Sequence, residues 1–188
     1  MAYHHGDLRR TLLAAAADAI AESGAAAVSL RELARRAGVS NAAPTHHFGD
    51  KAGLLTALAA EGYGLLADTV TGARLSGGGI VEMGVAYVRF ALEHPGHFEV
   101  MFHPALHRTD DEELRAARTR AAGALAAGVG ERHRGDAEDG GAELAAVAAW
   151  SLVHGYATLV LSGAVHPDDP QGQTRAIARL LFPEGTAR

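Results

Sequence analysis

Cysteine is absent from the 188 residues, and aromatic residues and lysine are scarce. Without cysteine the chain can form neither a disulfide nor a metal site built on thiolates. Aromatic side chains make up 5% of the sequence, and Ala and Leu, which favour helices, outnumber the branched residues that favour strands. The composition therefore predicts an all-α protein.

Acidic residues outnumber basic ones: the net charge is −5, and Lys51 is the only lysine. Residues 1–60 are close to neutral, so the acidic excess lies in the remainder of the chain. This distribution argues against a generally basic nucleic-acid binder and fits a protein that contacts phosphate with one end only. The first residues lack the apolar run of a signal peptide, which predicts a cytoplasmic protein.

One stretch, Ser29–Lys51, contains two short helical patterns and reads SLRELARRAGVSNAAPTHHFGDK. Ser29 and Glu32 have the spacing of a capping box, and Ser40 is expected to cap the second helix. Between the two patterns, Gly38 can adopt the left-handed backbone of a tight turn. This is the layout of a helix-turn-helix, in which one helix braces a second that enters the major groove of DNA. An ordinary two-helix corner of a bundle remains open as an alternative.

The rest of the chain also reads as helices, separated by glycine, proline and capping residues. Gly24 is expected to end the first helix, while Asp50, Thr109 and Asp169 are expected to cap later ones. Residues 131–141 are polar and rich in glycine, which predicts a mobile loop. The predicted helices outside the central stretch run over 8–23, 51–72, 80–93, 95–102, 110–129, 143–163 and 170–182.

The central stretch resembles the N-terminal domain of TetR-type transcriptional regulators. The matching segment is GAAAVSLRELARRAGVSNAAPTHHFGDKAGLLTAL, and the likeness extends from Leu8 to about Leu58. A second likeness, carried by Trp150–Gly155 and His94–Phe102, is to the C-terminal domain of a TetR subgroup with a W-x-x-x-H-G segment. The resemblance implies an all-α fold of about nine helices, with a three-helix head followed by a larger helical domain. It divides the chain into a DNA-binding domain at 1–50, a connecting helix at 51–76 and a ligand-binding and dimerisation domain at 77–188.

The resemblance also implies which side chains would contact double-stranded operator DNA. Ser29 and Lys51 would contact phosphate, while Arg31, Asn41 and Ala42 would face bases or the adjacent backbone. Thr45 stands where the family usually has a tyrosine that reaches a phosphate, so either the affinity is lower or His46 makes that contact. Two neighbouring histidines would make binding pH-sensitive, which is a hypothesis. The predicted DNA-binding set is Ser29, Arg31, Ser40, Asn41, Ala42, Thr45, His46, His47 and Lys51.

For the larger domain, the resemblance implies a homodimer, a small-molecule effector of unknown identity and a repressor released from a palindromic operator by that effector. The dimer would form through the last two helices, at about 142–163 and 170–182. Trp150 and His154, four residues apart, are more simply explained as a packed aromatic with a hydrogen-bonded core histidine. The predicted ligand-binding set, chosen as the larger side chains of the middle helices, is Tyr87, Phe90, Phe98, Met101, Phe102, Trp150 and His154.

A first alternative interpretation is that Leu144–Val165 crosses a membrane. The segment is long enough to do so. However, His154 lies near its centre, acidic residues flank both ends, and neither end has a nearby Lys or Arg. An interface helix that a partner subunit covers is therefore expected, with no membrane partner.

The second interpretation is a helical metal-binding or enzymatic protein that uses His94, His97, His103 and His107, with the helix-turn-helix as scaffold only. These histidines lack tight ligand spacing, and Pro95 and Pro104 interrupt any shared helix face. The sequence contains no recognisable catalytic or nucleotide-binding motif. No catalytic residue, metal or cofactor is therefore predicted.

Overall fold

The computed structural model describes residues 5–132 and 141–181. These residues form nine α-helices and one short 3-10 turn, and no strand occurs among them. The prediction of an all-α fold with about nine helices is thus confirmed for the described residues. The helices are α1 His5–Ala27, α2 Leu30–Arg36, α3 Ala42–Phe48, α4 Lys51–Leu75, α5 Gly79–Glu93, α6 Pro95–Met101, α7 Glu112–Arg132, α8 Gly141–Leu161 and α9 Pro170–Leu181, with the 3-10 turn at Pro104–Leu106.

The chain divides into two compact units, and each unit combines two segments that are distant in sequence. Unit 1 consists of Met1–Gly64 and His94–Arg118, and unit 2 consists of Leu65–Glu93 and Thr119–Arg188. The long helices α4 and α7 therefore each contribute one end to unit 1 and the other end to unit 2. The three-part division of the chain at residues 50 and 76 stays a prediction.

In unit 1, α1 packs against α6 and lies next to the short helices α2 and α3. The apolar stripe of α1 is buried as expected, with Leu13, Ala16 and Ile20 almost without solvent contact. At the crossing with α6, a side chain at Gly96 would overlap the Ala17 backbone, so the two helices approach as closely as their main chains allow. This packing ties residues 94–118 to the helix-turn-helix segment.

Gly24 breaks the helix, as predicted. Its backbone is non-helical (φ 78°, ψ 156°), and one further helical turn continues to Ala27. The break deprives the Ala25 amide of its usual partner within the helix, and this amide donates instead to Glu99 Oε1 at 2.8 Å. A carboxylate from α6 thus satisfies the backbone where the glycine interrupts it.

Unit 2 is built around α5, which packs against both α8 and α9. Its inward side chains, among them Tyr87, Val88 and Phe90, are fully buried. On its outer edge Glu82 accepts two hydrogen bonds from Arg175 of α9, at 2.6 and 2.9 Å. The Arg175 guanidinium holds the pKa of Glu82 below its usual range, so this bidentate pair stays ionised near neutral pH.

The starts of the later helices were predicted with mixed success. Asp50 and Asp169 cap α4 and α9 as expected, accepting from the amides of Gly53 (2.8 Å) and Gly172 (2.9 Å). The predicted cap at Thr109 is wrong, because Asp111 accepts from the Leu114 amide at 3.0 Å and α7 begins at Glu112. Of the predicted loop at 131–141, the first two residues belong to α7 and 141 begins α8. Residues 133–140 lie outside the described part of the chain, as does 182, the predicted end of α9.

Candidate DNA interface and effector cavity

Local backbone chemistry shapes the segment from α2 to α3. Ser29 precedes α2 in extended conformation, and its Oγ accepts from the Glu32 amide at 3.3 Å. After α2 the chain reverses at Gly38, whose φ of 65° is accessible to glycine at little cost. No atom lies within 4 Å of where a Cβ would be, so the glycine is needed for its backbone conformation and not for space. The Val39 amide then donates to the Ala34 carbonyl at 3.0 Å and closes the turn.

The prediction that the Ser40 side chain caps α3 is wrong. Asn41 occupies the capping position, with helical backbone angles and no side-chain capping bond. Only the Ser40 carbonyl takes part, accepting from the Ala43 amide at 3.0 Å. No side chain caps α3, and the side chains of Ser40 and Asn41 are exposed to solvent.

Most of the residues predicted to contact DNA are exposed to solvent. On α3, Pro44 and Phe48 are buried, while Thr45 and His46 on the opposite side are exposed. Two members of the set, His47 and Lys51, are half-buried. The other exposed members are Ser29, Arg31, Ser40, Asn41 and Ala42.

The outer surface of α2 carries a network of ion pairs centred on Glu32. Its carboxylate accepts from Arg35 at 2.7 and 2.9 Å and from Arg36 at 3.1 Å, in place of the expected bond back to the Ser29 amide. Hydrogen bonds from Arg35, and then from Arg36, lower the pKa of Glu32 to about 2. Arg36 also pairs with Glu22 of α1 at 2.8 Å. Two of the arginines in this segment are thus already engaged by carboxylates.

Lys51, the predicted phosphate contact, lies at the start of α4. Its ammonium group donates to the carbonyl of Ala26, at the end of α1, over 3.0 Å. A lysine has three N–H donors, so this bond still leaves donors for a phosphate oxygen. Because α2 begins at Leu30, four residues after Ala26, the bond also holds the ammonium group close to the start of α2.

Unit 2 contains an apolar cavity between α5, α7, α8 and α9. Its volume is about 40 Å³, a few times the 10–15 Å³ that one water requires. Among the lining residues, only Tyr87 and Trp150 carry polar side-chain atoms. The lining residues are Ile80, Met83, Gly84, Tyr87, Leu125, Val129, Ala146, Ala149, Trp150, Leu152, Val153 and Ala178.

Tyr87 links the cavity wall to a half-buried chain of hydrogen bonds. Trp150 Nε1 donates to the Tyr87 hydroxyl at 3.1 Å, and this hydroxyl lies 2.9 Å from His154 Nδ1. Burial lowers the pKa of His154, which favours the neutral ring. Which group donates between Tyr87 and His154 depends on which ring nitrogen carries the proton. Trp150 and His154 are thus both hydrogen-bonded to the Tyr87 hydroxyl.

The structure does not bring the seven predicted ligand-binding residues together at this cavity. Tyr87 and Trp150 line it, whereas Phe90 and His154 belong to unit 2 without lining it. Phe98, Met101 and Phe102 belong to unit 1. There the rings of Phe98 and Phe102 lie 5.0 Å apart, and the Met101 carbonyl accepts from the Tyr63 hydroxyl at 2.9 Å.

Side-chain size was a poor guide to the cavity, because small residues create the space. Gly84, Ala146, Ala149 and Ala178 were not predicted, although Ala146, Ala149 and Val153 recur at three- and four-residue steps on one side of α8. That periodicity of small residues was the available signal.

The four histidines of the metal-binding alternative all lie in unit 1. His97 Nε2 contacts Glu61 at 3.1 Å, and His103 Nδ1 contacts the Glu99 carbonyl at 2.6 Å. The rings of His94 and His97 pack edge to face, while His107 is buried with neither ring nitrogen hydrogen-bonded. Among the described residues, no group of three or more His, Asp or Glu side chains is placed to hold a metal ion.

Large apolar side chains are exposed on α8 and α9. Leu144 and Leu180 are 72% and 83% exposed, and Val147, Trp150, Leu159 and Leu161 are also solvent-exposed. On the opposite side of α8, Val153, Tyr156 and Ala157 are buried within unit 2. By length and composition alone, Glu143–Leu161 could span a membrane. However, the packing of one side and the bond from Tyr156 to Gln173 of α9 place this helix within unit 2.

Comparisons with known proteins cover both parts of the chain. Residues 12–58 match the family model for bacterial regulatory proteins of the tetR family, and residues 80–181 match the model for a tetracyclin repressor-like C-terminal domain. A search of curated proteins gives no match.

Solved structures show the same fold over nearly the whole chain. A protein of unknown function from Rhodococcus sp. RHA1 is 32% identical, with a TM-score of 0.78 and 96% of each chain covered. The TetR family transcriptional regulator PfmR from Thermus thermophilus is 23% identical, with a TM-score of 0.67 over 94% of this chain and 99% of that one. The fatty acid degradation regulator FadR from Bacillus halodurans is 17% identical, with a TM-score of 0.69 over 96% of this chain and 97% of that one.

Three observations therefore agree: an all-α fold, a helix-turn-helix arrangement at Ser29–Lys51, and family matches at both ends of the chain. The chain belongs to the TetR family of transcriptional regulators.

Proposed function

We propose that this protein is a cytoplasmic repressor, without enzymatic activity, that binds a palindromic operator as a homodimer and is released by a small molecule. The observation that carries the proposal is the exposed side of α3 with its adjoining turn. Asn41, Ala42 and Thr45 lie there beside His46, while Pro44 and Phe48 attach the helix to unit 1. A short helix with small polar side chains on its free side suits entry into the major groove.

Within this surface, some residues are suited to contact bases and others to contact phosphates. The Asn41 amide can donate to and accept from an adenine edge, and Arg31 can contact a base or the adjacent backbone. Ser29, Ser40, Thr45, His46, His47 and Lys51 carry hydroxyl, imidazole or ammonium groups suited to phosphate oxygens. Phosphate contacts would supply most of the affinity, which makes binding strongly dependent on salt.

The exposed apolar side chains of α8 and α9 support a homodimer through these two helices. Leu144, Val147 and Leu180 would each leave a large apolar surface in water in a lone chain. Large apolar side chains exposed on two helices that pack together are typical of a protein interface. A second copy of the chain would cover it and place two α3 helices on one palindromic site.

The cavity in unit 2 is the best-supported effector site. Its lining is apolar apart from Tyr87 and Trp150, and Tyr87 already takes part in the chain to His154. The cavity thus favours an uncharged, largely apolar molecule. Its volume of about 40 Å³ is small, so a ligand of many atoms would bind only to a conformer with a wider cavity. If that conformer has lower affinity for the operator, the effector releases the DNA.

The decisive experiment is a gel shift with DNA from immediately upstream of the gene, compared with a scrambled duplex. Wild-type protein should bind the upstream fragment saturably, and increasing salt should weaken the complex. The variant Asn41→Ala/Lys51→Ala should lose this binding while keeping the dimer mass in light scattering. Arg89→Ala removes one exposed positive charge from α5 and serves as the matched control, with near wild-type binding. Binding that survives the double change would refute the assignment of the DNA surface.

A further inference from the structure

Asp50 has a second partner besides the α4 backbone that it caps. While Oδ1 accepts from the Gly53 amide, Oδ2 accepts from Arg108 Nη2 at 2.8 Å. Arg108 is 58 residues further along the chain, in the link between α6 and α7. The two side chains are 60% and 50% exposed, so the pair lies at the surface beside the first turn of α4.

Several independent contacts hold Arg108 in this place. Its backbone amide donates to Thr56 Oγ1 at 2.9 Å, and the almost fully buried Thr56 hydroxyl donates to the Ala52 carbonyl at 2.7 Å. A Cβ built on Gly53 would lie 3.1 Å from Arg108 Nη1, so the guanidinium passes close over the α4 backbone. Both the main chain and the side chain of Arg108 are therefore positioned on the start of α4.

The charge at this helix end matters because Lys51 is the proposed phosphate anchor. The Asp50 carboxylate is adjacent in sequence and negatively charged, so on its own it would repel an approaching phosphate. The N-terminus of a helix has a positive electrostatic potential that attracts anions. At the start of α4, the Asp50 carboxylate and a DNA phosphate would compete for this potential. The Arg108 guanidinium offsets the carboxylate, leaving the positive charge of Lys51 and the helix end for DNA.

We infer that Arg108 is a positioning residue for operator binding, which neutralises the Asp50 cap so that the start of α4 can receive a DNA phosphate. This inference rests on the proposed function, since it assumes that Lys51 contacts phosphate. It assigns a part in DNA binding to a residue outside the helix-turn-helix segment. The capping role of Asp50 and the charge role of Arg108 are then separable, since asparagine caps a helix about as well as aspartate does.

A double-mutant cycle tests the inference on the upstream duplex that the wild-type protein binds. Arg108→Ala should weaken binding by about five- to twenty-fold in a dimer that carries the change in both subunits, as expected for exposed charge pairs. Asp50→Asn should bind at least as tightly as wild type. In the Asp50→Asn background, Arg108→Ala should cost less than about twofold. The effect in the wild-type background should shrink as salt is raised, because these groups are solvent-exposed.

Arg120→Ala is the matched control, because Arg120 and Asp68 form a similarly exposed pair at 2.9 Å in unit 2. That variant loses the same charge and should bind the duplex like wild type. Melting temperatures and dimer mass, measured for every variant, show that each protein is folded. An unchanged affinity of Arg108→Ala would overturn the inference, as would an equal loss in both backgrounds, which would indicate direct phosphate contact by Arg108. Failure of the wild-type protein to bind any upstream duplex would instead refute the proposed function itself.

Discussion

The α2–α3 surface and the α8–α9 surface are built from opposite kinds of side chain. Among the described residues before Leu65, no large apolar side chain is exposed, and the outer side of α2 is a network of ion pairs. On α8 and α9 the exposed side chains include Leu144, Val147 and Leu180. A polar surface with small residues suits a hydrated, charged partner, whereas an apolar surface suits a partner that can exclude water. The proposed function requires such a contrast, because it assigns one surface to DNA and the other to a second copy of the chain.

The largest expected effect comes from making the α8 surface as polar as the α2–α3 surface. Leu144→Glu/Val147→Glu should convert the dimer to a monomer, because two carboxylates would be desolvated in each half of the interface. Operator affinity should fall by at least about 100-fold, since a monomer loses the linked second half-site. Light scattering gives the mass and a gel shift gives the affinity. Ala122→Glu/Ala126→Glu on the exposed side of α7 adds equal charge and should leave the dimer intact; if it behaves like the α8 variant, charge alone is responsible.

A second prediction concerns His107, whose buried ring departs from this separation of polar surface and apolar interior. His107 is 8% exposed, and neither ring nitrogen has a hydrogen-bond partner. His107→Leu should therefore stabilise the protein by about 1–2 kcal/mol, since an unsatisfied polar group is removed from the interior. Thermal and urea unfolding at pH 8 provide the measurement. His103→Leu, at an exposed histidine bonded to the Glu99 carbonyl, is the control and should give no gain.

The same histidine should contribute to the pH dependence of stability. Burial lowers the pKa of His107 below its ordinary 6.5, so the folded state keeps the ring neutral where the unfolded state takes up a proton. Stability is therefore lost as the pH falls below about 6.5. His154, which is half-buried and also has a lowered pKa, acts in the same direction. Unfolding from pH 8 to pH 5 should show a smaller loss for His107→Leu than for wild type, and an equal loss would contradict this account.

A smaller effect is expected at the turn that connects α2 to α3. Gly38→Ala places a Cβ on a backbone with φ of 65° and should cost about 1 kcal/mol in stability. Gly72→Ala, in the last turn of α4 with no atom near its Cβ, should instead stabilise by up to about 1 kcal/mol. Urea unfolding measures the change in the free energy of unfolding for both variants. Opposite signs would show that position 38 requires glycine for its backbone conformation and not for lack of space.

The smallest expected effect concerns Thr45, where a larger side chain on α3 would add a contact to DNA. Thr45 stands where the family pattern has tyrosine, and its side chain is exposed. Thr45→Tyr should raise operator affinity by about fivefold if the hydroxyl gains one phosphate hydrogen bond. Thr45→Phe adds the ring without the hydroxyl and should give no such gain. Equal affinity of both variants in fluorescence anisotropy would remove the phosphate contact from this account of binding.

The features predicted correctly from the sequence are those in which a residue acts on its near neighbours. Ser29, Asp50 and Asp169 cap helices whose amides lie three residues ahead, and Gly38 supplies a left-handed turn. Such interactions depend on short sequence separation, so a pattern contains most of the information needed. Errors arose where two local solutions compete, as at Thr109 and Asp111, or at Ser40 and Asn41.

The cavity could not be located in this way. It combines Tyr87, Ala149 and Ala178 from three helices, and its space depends on residues that are small. Sequence patterns emphasise large side chains, whereas a void is defined by atoms that are absent. Phe98 and Met101, two of the predicted ligand-binding residues, pack within unit 1 and do not line this cavity, so their assignment stays a prediction.

By itself the sequence determined the helical fold, the caps at Ser29, Asp50 and Asp169, the helix-turn-helix segment and the family, because each of these depends on local patterns and characteristic spacings. Only the tertiary structure decided that Glu99 satisfies the break at Gly24, that Lys51 bonds to Ala26 and that Arg108 pairs with Asp50. These contacts join segments 25 to 74 residues apart. The packing of α1 on α6 brings such segments together, and no pattern within either segment specifies its partner.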